Sequence, residues 1–234
     1  MRHFAIRCLL LSLSFGPLSA QTFWDVPRRD REIHVDGLLD EWEGVPAIVL
    51  APSVEGLRSD GPFEGDGDVR ADIQAMWDTD YLYLAVSWAD DVWDVEEVRR
   101  QDAVWIGPEG TRRDRMYFFD YLRFQIREPD YDYTLWVSPR VDGRGPFFWT
   151  RLLEGFRGRE RATASPMISA QERDGRVTME IILMWNQLRR KPERNRPVPL
   201  TLILTDSDHP GRFLESKLEF LKWLTWRGAI RFVD

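Results

Sequence analysis

The sequence predicts an all-β fold, an antiparallel β-sandwich built from two sheets. Short alternations of apolar and polar residues recur along the 234-residue chain, and Gly, Pro and Asp separate them. No long stretch has the 3.6-residue period of an amphipathic helix. Because 43% of the residues are hydrophobic and 13% are aromatic, the chain can fill a sizeable core. No linker or composition shift divides the chain, so we expect a single domain over residues 21–234.

The clearest elements form a hairpin, "ADIQAMWDTDYLYLAVSWADD" (71–91). Residues 71–77 and 81–89 alternate as strands, and the Asp-Thr-Asp sequence between them is typical of an Asx turn. The other predicted strands share this alternation: 33–35, 121–126, 131–137, 177–184, 198–205 and 229–233. The polar or Gly-rich segments between strands are predicted to be loops: 53–68, 92–115 and 139–166.

The alternation also assigns side chains to faces. One side of the second hairpin strand is apolar, and we expect it to face the core: Leu82, Leu84, Val86 and Trp88. Because burial of a large aromatic side chain is strongly favourable, we assign four tryptophans to the core: Trp42, Trp77, Trp88 and Trp185. Glu180 alternates with apolar neighbours in its strand, which predicts that it lies on the polar face.

The first twenty residues have the layout of a secretory signal peptide. Basic residues precede an apolar run, and a Gly-Pro pair with small residues leads to Ala20. We expect residues 1–20 to be cleaved and the mature protein to be secreted or periplasmic. Cys8 is the one cysteine in the sequence and would leave with this segment, so disulfides and Cys-ligated metal sites are excluded.

The charge balance argues against some classes of partner. The net charge of −7 would become −9 once Arg2 and Arg7 are removed with the leader. An acidic protein is a poor partner for nucleic acid or anionic lipid. No apolar run after the leader reaches the length of about 18 residues that a membrane span needs. We therefore expect neither nucleic-acid binding nor membrane insertion.

Five blocks of the sequence resemble, in order, the family 9 carbohydrate-binding modules. "IHVDGLLDEWEG" (33–44) is similar to the opening Ile-x-x-Asp-Gly-x-Leu-Asp-x-x-Trp stretch of the family, and the hairpin is similar to its Tyr-Leu-Tyr-Leu block. "FFDYLRFQI" (118–126), "VTMEIILMWNQL" (177–188) and "LTLILTDSDH" (200–209) resemble its later strands. The resemblance implies a jelly-roll or immunoglobulin-like sandwich that binds carbohydrate and has no catalytic role.

The resemblance also implies where a sugar would bind. The family holds a terminal sugar between two aromatic rings, and the first ring falls at Tyr117, three residues before Asp120. The second ring lies ahead of the last strand, where this chain has Trp223 and Trp226. Aromatic planes pack on the C–H face of a pyranose while polar groups bond its hydroxyls, so Trp149 in a predicted loop is a further candidate.

Two positions depart from the family pattern. A carboxylate and a sugar-binding arginine of the family correspond here to Arg123 and Trp136.

The other loop tryptophans, Trp93 and Trp105, are additional candidates for aromatic platforms.

Acidic residues at strand ends predict a structural calcium ion. Calcium takes about six to eight oxygen ligands, and members of the family commonly bind it through loop carboxylates. We expect Asp90, Asp206 and Asp208 to be ligands. Solvated acidic turns are the alternative interpretation.

Enzymatic function is not expected, because His34 and His209 are the histidines beyond the leader and no nucleophile-elbow, zinc or phosphate-loop motif is present. One alternative is an interaction or structural module that works beside another secreted protein. Another is a haem-binding electron-transfer subunit with methionine ligands drawn from Met76, Met116, Met167, Met179 and Met184. No Cys-x-x-Cys-His motif for covalent haem exists, and we expect no haem.

Overall fold

The computed structural model is a two-sheet β-sandwich, which confirms the predicted fold class. It describes residues 22–93, 104–106, 112–114, 120–139, 146–155, 159–161, 165–207 and 221–234. The leader 1–20 and the predicted site residues Tyr117 and Asp208 lie outside these ranges. No helix within these ranges is long and apolar enough to cross a membrane.

The strands are short and follow one another closely along the chain. Their bounds are β1 Phe23–Val26, β2 Ala47–Leu50, β3 Arg58–Asp60, β4 Val69–Trp77, β5 Tyr81–Asp90, β6 Val104–Ile106, β7 Arg112–Asp114, β8 Tyr121–Glu128, β9 Tyr131–Ser138, β10 Phe147–Glu154, β11 Arg159–Arg161, β12 Met167–Arg173, β13 Arg176–Met184, β14 Val198–Ser207 and β15 Leu221–Phe232. A 3-10 turn spans Asp40–Trp42.

The strands form two packed sheets and a small separate hairpin. The large sheet has the order β1-β15-β14-β8-β9-β10-β11, with β3 added on β15. The small sheet has the order β12-β13-β5-β4-β2, and β6 pairs with β7 apart from both. Among the described strands, β1 and β15 run parallel and the other pairs are antiparallel.

The Asx turn predicted between β4 and β5 is present. Asp78 Oδ1 accepts the backbone N–H groups of Asp80 and Tyr81, each at 2.8 Å, and Oδ2 accepts the Tyr83 hydroxyl at 2.7 Å. Burial alone would raise the pKa of the Asp78 carboxyl, but these hydrogen bonds and the charge of Arg29 lower that pKa below its ordinary value. The ionised carboxylate therefore fixes the turn and with it the hairpin register.

The predicted inward faces are confirmed. The core between the sheets contains the whole apolar side of β5, from Leu82 to Trp88, together with Ile73, Ala75 and Trp77 of β4. The four tryptophans assigned to the core are 0–5% exposed: Trp42, Trp77, Trp88 and Trp185. The methionines Met76 and Met179 are also buried, which makes them packing residues within the described structure.

Several strand predictions were wrong. Residues 33–35 do not form a strand; Ile33 and Val35 instead pack beside Trp42 in a second, smaller apolar cluster. All three predicted loops contain short strands: 139–166 contains β10 and β11, 53–68 contains β3, and 92–115 contains β6 and β7. Charged and glycine-rich flanks obscured these strands in the sequence. The last strand begins at Leu221 and not at residue 229.

Glu180 differs from its predicted setting. It does lie on the outer face of the small sheet, but the segment before β2 covers it, and it is 0% exposed. Trp42 Nε1 donates to its Oε1, and the N–H groups of Asp36 and Gly37 donate to its Oε2, all at 2.9 Å. Gly37 has φ +86°, and a Cβ there would lie 3.0 Å from the Ala170 backbone. Asp36 and Gly37 of the opening block thus bind the Glu180 carboxylate through their backbone N–H groups, and we call this arrangement the Glu180 clasp.

Candidate functional site

The outer face of the large sheet carries a row of side chains from five adjacent strands. Cross-strand partners share a face, so the pairing places one residue of each strand in line. The row consists of Trp149 on β10, Trp136 on β9, Arg123 on β8, Ile203 on β14 and Thr225 on β15.

Two tryptophans of this row stack. The ring centroids of Trp136 and Trp149 lie 5.2 Å apart with an interplanar angle of 26°. The guanidinium carbons of Arg123 and Arg151 each lie 5.5 Å from the centroid of the Trp136 ring. Trp136 is 1% exposed, whereas Trp149 is half-buried. Trp149 is therefore the ring of the pair that a ligand could reach.

A hydrogen-bonded network lies beside this stack on the same face. Gln125 Nε2 donates to both carboxylate oxygens of Asp132, at 2.9 and 3.0 Å, and the Thr134 hydroxyl donates to Asp132 Oδ1 at 3.0 Å. The Arg123 guanidinium in turn donates to Gln125 Oε1 at 2.5 Å. The network orients the guanidinium of Arg123 next to the Trp136 ring.

The two candidate tryptophans of β15 lie on opposite faces of the large sheet. Trp223 is half-buried and faces outward, with Thr205 and then Tyr121 as its cross-strand neighbours. Trp226 faces inward and packs in the core with 9% exposure. Its ring also covers Gly228, where an added Cβ would lie 2.6 Å from a ring carbon. Trp226 is therefore not accessible as a sugar platform, which corrects the prediction from sequence.

Asp120 belongs to a different feature from the one predicted. It is fully buried, and its Oδ1 accepts the Ser207 N–H at 2.8 Å. One carboxylate oxygen from each of Asp90, Asp120 and Asp206 lies within 4.8 Å of the others. We call these three residues the carboxylate cluster. Its three side chains point inward, as the core residues of β5, β8 and β14 do. The cluster therefore lies between the sheets, at one end of the core.

A buried lysine adjoins the carboxylate cluster. Lys222 Nζ donates to both oxygens of Asp68 at 2.9 Å and lies 3.1 Å from Asp206 Oδ2. Both Asp68 and Lys222 are buried. Four carboxylates and one ammonium therefore share this end of the sandwich.

The carboxylate cluster fits a calcium ion in its chemistry. Hard carboxylate oxygens are the ligands calcium prefers, and three side chains can supply three to six of them. Buried carboxylates this close repel one another, and one ammonium offsets only part of their charge. Asp90 and Asp206, the described residues among the predicted calcium ligands, lie in this cluster together with Asp120.

Sequence reasoning missed several residues of both features. Trp136 could have been found, because Leu135 and Val137 beside it in the predicted strand are apolar, and alternation then places Trp136 on the opposite face. Tyr121 and Arg151 follow from the same alternation once their strands are known. Nothing local in the sequence paired Lys222 with Asp68, because their contact joins residues 154 positions apart.

A depression in the surface lies at the end of the sandwich opposite to the carboxylate cluster. It has a volume of about 490 Å³, and Tyr81, Met184, Trp185 and Lys191 are among its lining residues. None of the site residues predicted from the sequence lines it.

Comparison with known proteins shows similarity at the level of structure. No protein-family model matches the sequence. No curated protein matches it either. The fold is that of family 9 carbohydrate-binding modules. A module of this family from Caldicellulosiruptor kristjanssonii in complex with glucose aligns with TM-score 0.58 and 13% identity, covering 91% of this chain and 96% of its own.

Two further structures support the same fold. The Caldicellulosiruptor kristjanssonii module in complex with cellotriose aligns with TM-score 0.57 and 13% identity, over 90% of this chain and 93% of its own. A proposed carbohydrate-binding protein from Bacteroides uniformis aligns with TM-score 0.53 and 12% identity, over 92% of this chain and 100% of its own.

Proposed function

We propose that this protein is a secreted, non-catalytic domain that binds carbohydrate on the outer face of its large sheet. The stacked pair Trp136 and Trp149, flanked by the guanidiniums of Arg123 and Arg151, carries this proposal. The shared fold supports it, because two structures with this fold contain glucose or cellotriose. Secretion rests on the layout of residues 1–20.

The arrangement supplies the chemistry that sugar recognition needs. The half-buried Trp149 ring offers a plane for the C–H face of a pyranose, and guanidinium N–H groups can donate to its hydroxyls. Relative to the family pattern, Arg123 on β8 stands in place of a carboxylate, and Trp136 on β9 stands in place of the sugar-binding arginine. We infer that Arg123 supplies the guanidinium from β8 that family members supply from the following strand.

The positions of the outward-facing tryptophans favour an extended ligand. Trp149 on β10 and Trp223 on β15 are separated by four strand spacings, roughly 19 Å along the sheet. They therefore cannot clasp one sugar ring. A chain of several sugars could contact both, and Tyr117 remains a predicted additional platform.

The first test of this proposal is loss of binding in Trp149→Ala. Removal of a stacked ring should weaken binding about five- to tenfold, with wild-type affinity in the micromolar to millimolar range. Calorimetric titration with mono- and oligosaccharides measures this effect, and Tyr117→Ala should weaken binding about tenfold as well. Tyr81→Ala, a half-buried aromatic in the small sheet, is the matched control and should retain affinity. Failure of the wild type to bind any sugar on a broad glycan array would contradict the proposal.

We also propose that the carboxylate cluster of Asp90, Asp120 and Asp206 holds a structural calcium ion. When bound, the ion would supply two positive charges to the cluster. The three carboxylates come from the end of β5, the residue before β8 and the end of β14, so a common ligand would join both sheets. Asp208 remains a predicted further ligand.

Removal of calcium should lower the melting temperature by several degrees. A ligand present at 100 times its dissociation constant stabilises a protein by about 2.7 kcal/mol, and added calcium should restore that stability. Thermal unfolding with EDTA and then with excess calcium measures the effect. Asp120→Asn should abolish the response, while Asp91→Asn, at an exposed neighbour of the cluster, should preserve it. An identical melting temperature with EDTA and with calcium would exclude the site.

A further inference from the structure

Lys222 is an unusual residue because its charged group lies inside the protein. Lysines are seldom fully buried unless they are paired, and the Lys222 side chain is 7% exposed. Its ammonium bridges Asp68, at 2.9 Å to each carboxylate oxygen, and Asp206 of the carboxylate cluster at 3.1 Å. One positive charge is thus shared between a loop carboxylate and a candidate metal ligand.

The loop before β4 is shaped around this lysine. Gly61, with φ +114°, packs against the aliphatic stem, and a Cβ there would lie 2.8 Å from Lys222 Cγ. The Phe63 ring centroid lies 5.4 Å from Nζ, and the Glu64 N–H donates to Asp68 Oδ2 at 2.9 Å. These contacts fix the ammonium in one position beside the cluster.

We infer that Lys222 is an internal counter-cation. Its ammonium stabilises the Asp206 carboxylate in the metal-free protein and lowers the affinity of the carboxylate cluster for a divalent ion. The inference rests on the proposed calcium site. A fixed ammonium in contact with Asp206 repels an incoming cation and shares one of its ligands, and burial limits screening by salt. The four carboxylates and Lys222 sum to a charge of −3. One divalent ion reduces this to −1, so the site should take a single ion.

The test compares calcium binding and metal-free stability in variants of Lys222. Lys222→Met should bind calcium about tenfold more tightly in calorimetric titration with CaCl2, with one ion per chain. In EDTA its melting temperature should fall by about 10 °C, because a buried ion pair has lost one partner. Lys222→Arg keeps the charge and should bind calcium as the wild type does. If Lys222→Met does not fold, Lys222→Gln, which can still donate to Asp68, should show the same tighter binding.

Lys191→Met is the matched control. This exposed lysine lies at the opposite end of the sandwich, roughly 30 Å away along β5, and its removal should change neither calcium affinity nor stability. Calcium binding by Lys222→Met and Lys222→Gln that is equal to or weaker than that of the wild type would overturn the inference and leave the calcium site standing. Unchanged stability of metal-free Lys222→Met would also overturn it. Absence of calcium binding by wild type and variants alike would overturn the calcium site and the inference together.

Discussion

Replacement of Glu180 by alanine is expected to lower the free energy of unfolding by about 4 kcal/mol. The substitution leaves the Trp42 indole N–H and the N–H groups of Asp36 and Gly37 without their acceptor in a covered position. It also opens a cavity under the segment before β2. Glu180→Gln should lower the free energy of unfolding by about 2 kcal/mol. One side of the glutamine amide is an NH2 donor, and it would face an N–H group that needs an acceptor.

Urea denaturation measures both effects, and Glu172→Ala is the control. Glu172 lies exposed on the neighbouring strand β12, so its removal should change stability by less than about 0.5 kcal/mol. Similar losses in Glu180→Ala and Glu172→Ala would mean that the Glu180 clasp contributes nothing to folding.

The same carboxyl predicts a pH dependence. Burial raises the pKa of Glu180 above its ordinary value of 4.5, although its hydrogen bonds oppose the change. The folded protein therefore binds this proton more tightly than the unfolded chain does. The resulting stabilisation is complete below the unfolded pKa and is lost as pH rises through the folded pKa. The stability of wild type relative to Glu180→Gln should accordingly decrease as pH is raised above about 4.5.

Replacement of Trp88 by alanine is expected to cost about 3–5 kcal/mol. Trp88 is 0% exposed between the two sheets, and the Trp93 ring packs against it at 5.4 Å with an interplanar angle of 58°. Truncation would remove one of the largest buried side chains and leave a cavity that the flanking strands cannot close.

Trp149→Ala provides the comparison for Trp88→Ala. Trp149 is half-buried on the outer face and loses mainly its stacking with Trp136, so we expect a cost of about 1–2 kcal/mol. Chemical denaturation of both variants gives the two values directly. A loss at Trp149 as large as that at Trp88 would identify Trp149 as a structural residue and would remove the basis for its role in binding.

The sandwich could be predicted from sequence because strand alternation is a local signal. The hairpin of β4 and β5 shows this, since its turn, its faces and its core tryptophans all follow from residues close together in the chain. Ile33 and Val35 also alternate, but their segment is held by Glu180 from more than 140 residues away and does not join a sheet. Strand β10 was missed because its own alternation lies between glycine-rich and charged flanks.

The candidate site was less accessible to prediction because its residues converge from distant strands. Asp120 matched a sugar-binding block in the sequence, and only the meeting of β5, β8 and β14 shows that it belongs with Asp90 and Asp206. Trp223 and Trp226 could not be distinguished while the start of β15 was placed too late, because the facing of both depends on its register. Lys222 carries no motif, and its partners are known only from the folded structure.

The alternation of side chains along a strand has a mechanical consequence at this end of the sandwich. Asp120, Asp206 and Lys222 point inward, while their chain neighbours Tyr121, Thr205 and Trp223 point to the outer face. The buried charged residues and these outward-facing residues therefore share the same three stretches of backbone. If calcium binds to the carboxylate cluster and displaces these strand ends, Tyr121, Thr205 and Trp223 would move with them, because each lies one residue along the chain. By thermodynamic reciprocity, a sugar whose affinity depends on calcium must change the affinity for calcium by the same factor.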